Sequence, residues 1–239
     1  MNRFGLVYLA LALLTPSCAF IASKTAEPVP MDVHAMRERP KTLVVMLPGM
    51  GDDESIYRES EFFDIAGEFP ESFEETSFAA LDMHIGYYRD GSFIDRFKED
   101  ILDQYPDSDI HLVGASLGGF GALVLADRYT DRVSKLTLFA PYMGSPRQIR
   151  TFLETGNVQE KDSDRNKTRA IKWAWRFLLE KSQDKDVTIL YGESDRVARL
   201  APHLPKRLPH IRMKSIPGGH KWRVWKELWR LYLADEEGQ

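Results

Sequence analysis

The sequence predicts an α/β domain built on a mostly parallel, doubly wound sheet of about six strands. Short runs of aliphatic and β-branched residues alternate with stretches of helical pattern along the chain after residue 40. These runs are almost continuously apolar, which is typical of parallel strands that are buried on both faces of a sheet. The chain has 239 residues, 43% of them hydrophobic, which is enough for one domain with a large core.

The predicted strands follow one another in chain order, and the predicted helices lie between them. Strands are expected over residues 42–47, 77–83, 110–114, 135–139, 187–191 and 211–216. Helices are expected over residues 54–67, 92–104, 117–129, 165–182 and 220–234. In the last helix Trp222, Trp225 and Trp229 fall on one face, so we expect this face to pack against the sheet.

Residues 1–22 have the pattern of an export signal. Arg3 precedes an apolar run of about ten residues, and small residues around Cys18 follow it. Cys18 is a candidate for lipidation as in a bacterial lipoprotein, whereas a cut after Ala19 would give a periplasmic or secreted protein. A single-pass anchor is a third alternative, although Pro16 interrupts the run before the roughly 20 residues of a membrane span. We therefore expect an exported protein.

Residues 23–40 are polar and rich in proline, so we expect a linker, followed by a domain over residues 41–239. Within this domain, residues 145–183 form a connection much longer than usual, with nine Lys and Arg against five Asp and Glu. A short helical lid is predicted here, and an additional solvated helix pair is the alternative. Its helix over residues 165–182 is basic and rich in Trp, a composition that also suits an anionic membrane surface.

The composition excludes several classes of protein. A net charge of −4 argues against an overall basic nucleic-acid binder, so no nucleic-acid partner is expected. A single cysteine excludes an intramolecular disulfide framework and any CxxC zinc or redox site. We expect no metal and no cofactor, because ligand-spaced histidines and glycine-rich phosphate loops are missing from the sequence. The pair Asp52-Asp53 is interpreted as the start of a helix.

The segment Gly114-Ala115-Ser116-Leu117-Gly118 has the form G-x-S-x-G and lies between a predicted strand and a helix of small residues. A serine on such a tight turn is forced into a strained backbone conformation, and glycines beside it remove Cβ clashes. The turn would raise the hydroxyl above the edge of the sheet, where the start of the helix favours negative charge. Ser116 is therefore a candidate nucleophile, and a purely structural glycine turn is the alternative.

These features resemble the α/β-hydrolase fold family, specifically its compact serine hydrolases. The resemblance covers residues 41–234, and it implies a sheet without the first two strands of the common eight-stranded form. Leu47-Pro48-Gly49-Met50-Gly51 occupies the place of the family's oxyanion loop, with Pro48 where many members have a His that braces the loop. The resemblance implies that the backbone N–H groups of Met50 and Leu117 bind the oxyanion. A tight turn without this role is the alternative.

The family places an acid after the next-to-last strand and a histidine after the last one. Asp195 and His220 occupy these places, and the order Ser116, Asp195, His220 is that of the family. Glu193 is an alternative acid, and Asp195 could instead cap the following helix. His220 follows two glycines on a turn before the terminal helix.

The resemblance implies an exported serine hydrolase that cleaves a small-molecule carboxylic ester through an acyl-enzyme intermediate. Ser116 would attack the ester, His220 would accept its proton, and Asp195 would orient the imidazole. Two alternatives stay open. One is a membrane-surface binding protein on the same scaffold, held by a lipid on Cys18 and by the helix over residues 165–182. The other is an acyltransferase or thioesterase that uses the same triad.

Overall fold

The computed structural model describes residues 24–155, 165–198 and 201–238. Cys18 and the predicted export signal lie outside these residues, as does the middle of the predicted lid insertion. Seven strands form one sheet in the order β1-β3-β2-β4-β5-β6-β7. The strands are Met31–His34 (β1), Thr42–Leu47 (β2), Thr76–Leu81 (β3), Asp109–Ala115 (β4), Val133–Phe139 (β5), Asp186–Gly192 (β6) and Arg212–Ile216 (β7).

Strands β2 to β7 are parallel to one another, as predicted. Each of the six predicted strands is present, with ends no more than two residues from the expected ones. A continuous apolar run predicted central strands such as β2, which is buried on both faces, whereas β7 is only partly buried along its length. The α/β prediction for the sheet is therefore confirmed.

The expected linker over residues 23–40 contains β1, which gives the sheet one strand more than the six expected. This strand pairs antiparallel with β3 at the edge of the sheet. It has only four residues, and none of them is fully buried. A short, half-exposed edge strand has no apolar run, which is why the sequence pattern did not reveal it.

Eight α-helices occur in the described ranges, and two of them continue as π-helical turns. They are Ile56–Glu59 (α1), Phe62–Gly67 (α2), Ile85–Asp90 (α3), Phe93–Phe97 (α4), Leu117–Arg128 (α5), Pro146–Thr155 (α6), Arg165–Arg176 (α7) and Trp222–Glu237 (α8). The π-helical turns Lys98–Leu102 and Phe177–Lys181 follow α4 and α7. The helix expected over residues 54–67 is divided at Glu61, which has a φ of 62°. Helix α3 was not predicted.

The tryptophan face of α8 packs against the sheet through Trp229, whose ring centroid lies 6.2 Å from that of Phe139 of β5, and also against α2. Trp225 and Trp229 are buried, and Trp229 stacks on Phe62 of α2 with ring centroids 5.6 Å apart. The indole N–H of Trp229 donates to the carbonyl oxygen of Phe62 at 3.0 Å. Trp222 differs from the other two, because it is only partly buried and borders a large cavity.

Several basic and aromatic side chains of α7 are used in packing. Trp175 is buried and its indole N–H donates to the carbonyl oxygen of Met143 at 3.1 Å, and Arg176 forms an ion pair with the buried Asp127. Trp173 lies under the guanidinium of Arg128, which is 5.0 Å from its ring centroid. None of the helices within the described ranges has the length and hydrophobicity that a membrane span requires. Membrane contact by α7 stays a prediction.

Candidate active site

Ser116 lies on the tight turn between the last residue of β4 and the first residue of α5. Its backbone has φ 52° and ψ −108°, a region that residues other than glycine seldom adopt. The turn is held on both sides, because the Ser116 N–H donates to the Phe139 carbonyl at 2.8 Å and its own carbonyl accepts from the Tyr142 N–H at 2.9 Å. Such strain persists only where surrounding contacts maintain it, and it is frequent at functional residues.

Glycines on both sides of Ser116 allow this turn to form. A Cβ on Gly114 would lie 2.5 Å from the carbonyl oxygen of Gly118. A Cβ on Gly118 would lie 2.5 Å from the carbonyl oxygen of Pro48 and closer still to that of Leu47. Helix α5 therefore begins directly against the end of β2, and only glycine permits this approach.

The substitution Gly118→Ala is expected to destabilise the protein by about 3 kcal/mol or more, because backbone atoms that cannot rotate away occupy the space of the new methyl group. Gly67 at the end of α2 is the matched control, since a Cβ there would meet nothing within 4 Å. Gly67→Ala is expected to change stability by less than about 1 kcal/mol. Urea unfolding of both variants tests this, and equal midpoints for the two would contradict the packing argument.

Asp195 follows β6 and contacts both its own loop and His220. It is only 5% exposed, and its Oδ2 lies 2.8 Å from His220 Nδ1. Its Oδ1 accepts hydrogen bonds from the N–H groups of Val197 at 2.8 Å and Ala198 at 3.3 Å. Oδ2 thus faces His220, whereas Oδ1 binds the N–H groups of its own loop and caps no described helix, since the next helical residues are Ala201–Lys206. Glu193, the alternative acid, is exposed to solvent.

The loop that carries His220 is joined to the loop that carries Asp195. The Ser194 N–H donates to the Gly218 carbonyl at 2.8 Å, and Gly218 has a φ of 145°, which favours glycine. Trp225 packs edge to face with the imidazole, with ring centroids 4.7 Å apart and an interplanar angle of 87°. Asp195 and the aromatic contact together fix the orientation of the His220 ring.

Ser116 and His220 both border one cavity of about 1110 Å³, which has the size of a small-molecule site. No hydrogen bond joins their side chains in the described part of the chain. Catalytic hydrogen bonds are often long in structures without substrate, so the lack of this bond is compatible with proton transfer once a substrate is bound. Much of the cavity wall is aromatic, with Tyr88, Phe93, Phe120, Tyr142 and Trp173 among the lining residues.

Two further parts of the cavity wall come from α3 and from α7, the second of which belongs to the insertion predicted to line the site. Tyr88 belongs to α3, which was not predicted, because this short helix has no hydrophobic period long enough to recognise. Trp173 belongs to α7, so the insertion over residues 145–183 borders the same cavity as Ser116.

The two predicted oxyanion donors also border this cavity. Met50 is 60% exposed, and Leu117 is partly buried at the first position of α5. The N–H groups in the first turn of a helix have no intrahelical partner and carry partial positive charge. The loop before Met50 lies against the serine turn, because a Cβ on Gly49 would be 3.8 Å from Ser116 Cβ.

The adjacent residues Asp52 and Asp53 have different partners and different roles. Asp53 fits the predicted helix start, since its Oδ1 accepts from the Ser55 N–H at 2.9 Å just before α1. Asp52 does not, because it borders the cavity and its Oδ2 accepts from Trp222 Nε1 at 3.1 Å. Partial burial raises the pKa of Asp52, and the hydrogen bond from Trp222 partly offsets this effect. Neither Asp52 nor Trp222 was predicted as a site residue.

A third acidic residue, Asp82, lies just after β3. Partial burial, together with the carboxylates of Glu54 and Asp53, raises its pKa to about 7. The folded protein therefore holds this proton more tightly than the unfolded chain, whose Asp has a pKa near 3.8. At a pH below the pKa of Asp82 in the unfolded chain, the stability gained from this tighter proton binding is fully present. It is lost as the pH rises towards the folded pKa of about 7.

The substitution Asp82→Asn is expected to stabilise the protein above about pH 7 and to have little effect near pH 4. Because the carboxyl is half-exposed and screened by solvent, we expect a gain of about 1 kcal/mol, or roughly 2–4 °C in Tm. Thermal unfolding at both pH values tests this, with the exposed Asp107→Asn as the control. A Tm difference between Asp82→Asn and the native protein that is the same at both pH values would contradict the assignment.

The comparison with family models gives one match, to a model described as "alpha/beta hydrolase fold", which covers residues 47–167. These residues are just over half of the chain, and they contain the loop after β2 and the turn at Ser116. No curated protein matches the chain.

Many solved structures share the fold at low sequence identity. The fluorophosphonate-binding serine hydrolase F of Staphylococcus aureus is 13% identical with a TM-score of 0.63, and 90% of this chain and 96% of that chain are covered. An S-formylglutathione hydrolase of the same organism is 17% identical with a TM-score of 0.59, and the match covers 84% of this chain and 83% of that chain. Est1E of Butyrivibrio proteoclasticus with bound ferulic acid is 17% identical with a TM-score of 0.55, and the match covers 88% of this chain and 96% of that chain. With this sheet and the family-model match together, the chain belongs to the α/β-hydrolase fold family.

Proposed function

We propose that the protein is a serine hydrolase that cleaves carboxylic esters, with Ser116 as nucleophile, His220 as general base and Asp195 as the residue that orients His220. The observation that carries this proposal is the 2.8 Å contact between Asp195 Oδ2 and His220 Nδ1 beside the cavity that Ser116 borders. Solved structures of the same fold include a serine hydrolase, an S-formylglutathione hydrolase and a protein with bound ferulic acid, which supports this chemistry.

The contact with Asp195 determines which nitrogen of His220 can act. When Nδ1–H donates to Asp195, Nε2 carries the lone pair and can accept the proton of the Ser116 hydroxyl. The serine oxygen then attacks the ester carbonyl, and the backbone N–H groups of Met50 and Leu117 stabilise the oxyanion. Collapse of this intermediate breaks the ester bond, and the protonated His220 gives its proton to the leaving alcohol.

Water completes the reaction in a second half that mirrors the first. The oxygen of a water molecule attacks the acyl group on Ser116, and His220 accepts a proton from this water. The carboxylic acid then leaves, and the serine oxygen regains its proton. No group beyond the protein and water is needed for this sequence of steps.

The cavity favours a substrate with an apolar or aromatic group. Seven of its lining residues are Trp, Tyr or Phe and several others are aliphatic, and these side chains contribute affinity by burying apolar surface. The insertion over residues 145–183 supplies part of the wall through Trp173, and we propose that it acts as a lid. We therefore propose a small-molecule ester as substrate.

Turnover of a panel of p-nitrophenyl esters, from acetate to laurate, by the purified protein tests the proposed function. We expect hydrolysis of at least one ester, with the acyl preference set by the aromatic cavity. Thioesters of the same acyl groups, and an added alcohol acceptor, distinguish thioesterase and acyltransferase activity from ester hydrolysis. A folded protein that turns over none of these compounds would contradict the proposal.

Export and a lipid anchor at Cys18 are a separate proposal, since the relevant residues lie outside the described part of the chain. It is supported by the basic start, the apolar run and the position of the single cysteine. Metabolic labelling with a palmitate analogue should give a labelled protein in which Cys18→Ser removes the label. An exported but unlabelled protein would indicate cleavage after Ala19 instead.

A further inference from the structure

The loop after β2 has no histidine to brace it, because Pro48 stands at that place and has neither a donor nor a polar side chain. The loop is nevertheless held at its start, where Tyr57 Oη donates to the carbonyl oxygen of Leu47 at 2.6 Å. The part of the loop that carries Met50 needs a further contact if its N–H is to stay in place for an oxyanion.

Asp52 makes that contact with the loop. Its N–H donates to the Gly49 carbonyl at 3.3 Å, which closes a tight turn around Met50. Its carboxylate then folds back over Gly49, since a Cβ on Gly49 would lie 2.9 Å from Asp52 Oδ2. The same point is 3.8 Å from Ser116 Cβ, so the carboxylate packs close to the nucleophile turn.

Trp222 holds this carboxylate from the other side of the site. Its Nε1 donates to Asp52 Oδ2 at 3.1 Å, and it is the first residue of α8, two residues after His220. Its indole ring is packed edge to face against Tyr57 at 5.1 Å and Trp225 at 5.0 Å. Trp225 in turn contacts the His220 ring at 4.7 Å.

These contacts form one continuous connection from the loop at Met50 to the ring of His220. Among the described residues, the bond from Trp222 to Asp52 is the one hydrogen bond that joins the part of the loop at Met50 to α8, and both groups are partly buried. A partly buried indole N–H or carboxylate that loses its partner is costly, so the bond favours one relative position of the loop and α8. The positions of the two elements matter together, because a misplacement of about 1 Å between catalytic groups can cost about 100-fold in rate.

We infer that Asp52 and Trp222 are positioning residues that hold the oxyanion loop in register with His220, in place of the missing histidine brace. The inference rests on the proposed ester hydrolysis, since the loop is assigned its role there. It concerns the rate of the chemical step and not the binding of the apolar part of the substrate.

Three single variants test this inference. Asp52→Ala removes the acceptor, Trp222→Phe removes the donor but keeps an aromatic ring, and Asp52→Asn keeps a carbonyl oxygen that can accept from Trp222. For a p-nitrophenyl ester, we expect the kcat of Asp52→Ala and Trp222→Phe to fall by roughly 10- to 100-fold, with KM changed by less than about 3-fold. Asp52→Asn should retain a kcat within about 5-fold of that of the native protein.

A double-mutant cycle separates positioning from two independent losses. Since both residues act through one bond, the double variant of Asp52→Ala with Trp222→Phe should have a kcat close to that of the slower single variant. The indole N–H resonance of Trp222, identified by its loss in Trp222→Phe, should also shift in Asp52→Ala. Circular dichroism and Tm establish that each variant is folded before its rates are compared.

Two neighbouring residues provide matched controls. Asp53 is adjacent on the loop but contacts Ser55 instead, and Trp229 lies on the same helix but donates to a carbonyl of α2. Asp53→Asn and Trp229→Phe should keep the kcat of the native protein, even if Trp229→Phe lowers the Tm.

The outcomes also separate this inference from the proposed function. An active native protein whose Asp52→Ala and Trp222→Phe variants keep full kcat, or whose losses multiply in the double variant, overturns the inference alone. A folded native protein that hydrolyses no ester overturns the proposed function and this inference with it. A rise in KM without a loss of kcat would assign Asp52 to substrate binding and overturn the positioning role.

Discussion

Replacing Ser116 by alanine is expected to lower ester turnover by roughly 10⁵-fold or more, because no other group can take the place of the attacking oxygen. The fold should be almost unchanged. Alanine keeps the Cβ and must adopt the same backbone conformation at φ 52°, so the strain of the turn is neither relieved nor increased. In the described part of the chain the serine hydroxyl makes no hydrogen bond that the substitution would remove.

Initial rates with a p-nitrophenyl ester and the Tm of the same preparation measure both halves of this prediction. The native protein prepared in parallel gives the reference rate, and a mock preparation from cells without either protein gives the rate of any contaminating esterase. Turnover that survives in a Ser116→Ala protein free of such contamination would remove the serine from the mechanism.

The substitution Asp195→Asn is expected to lower kcat by about 10⁴-fold with little effect on KM. The Asn carbonyl oxygen can still accept from the N–H groups of Val197 and Ala198, which leaves the amide NH₂ facing His220. The imidazole must then accept at Nδ1, so its proton moves to Nε2. In this tautomer His220 has no lone pair to receive the proton of Ser116.

Glu193→Gln is the matched control for Asp195→Asn, because it also removes one carboxylate charge and lies only two residues away. The exposed Glu193 makes no contact with His220 in the described part of the chain, so its kcat should stay within about 3-fold of the native value. A larger loss in Glu193→Gln than in Asp195→Asn would mean that the wrong acid has been assigned.

The central strands of the sheet were predictable because a strand that is buried on both faces is a run of consecutive apolar residues. A strand such as β4 must be apolar at successive positions, and its carboxyl end must carry the turn at Ser116. The places of Asp195 and His220 were implied by the family resemblance. Asp195 follows β6, and His220 follows β7, a strand whose residues are all only partly buried. Strand β1 and helix α3 are too short and too mixed in composition to show an apolar run or a helical hydrophobic period.

The contacts between distant parts of the chain were not predictable from local patterns. Asp52 and Trp222 are 170 positions apart, and nothing near either residue indicates that they meet. Arg176 looked like one of several basic residues suited to a membrane surface, but it forms an ion pair with the buried Asp127. Charge and hydrophobic period indicate the face of a helix and not the partner that the face will contact.

Labelling of the purified, folded protein with a fluorophosphonate, followed by peptide mapping by mass spectrometry, tests the central claim most directly. The reagent forms a covalent bond to a serine only where that serine is activated as a nucleophile. We predict one adduct, on Ser116, that is absent in Ser116→Ala and forms much more slowly in Asp195→Asn. An adduct on another residue, or none at all on the folded protein, would contradict the assignment of Ser116 as the activated nucleophile.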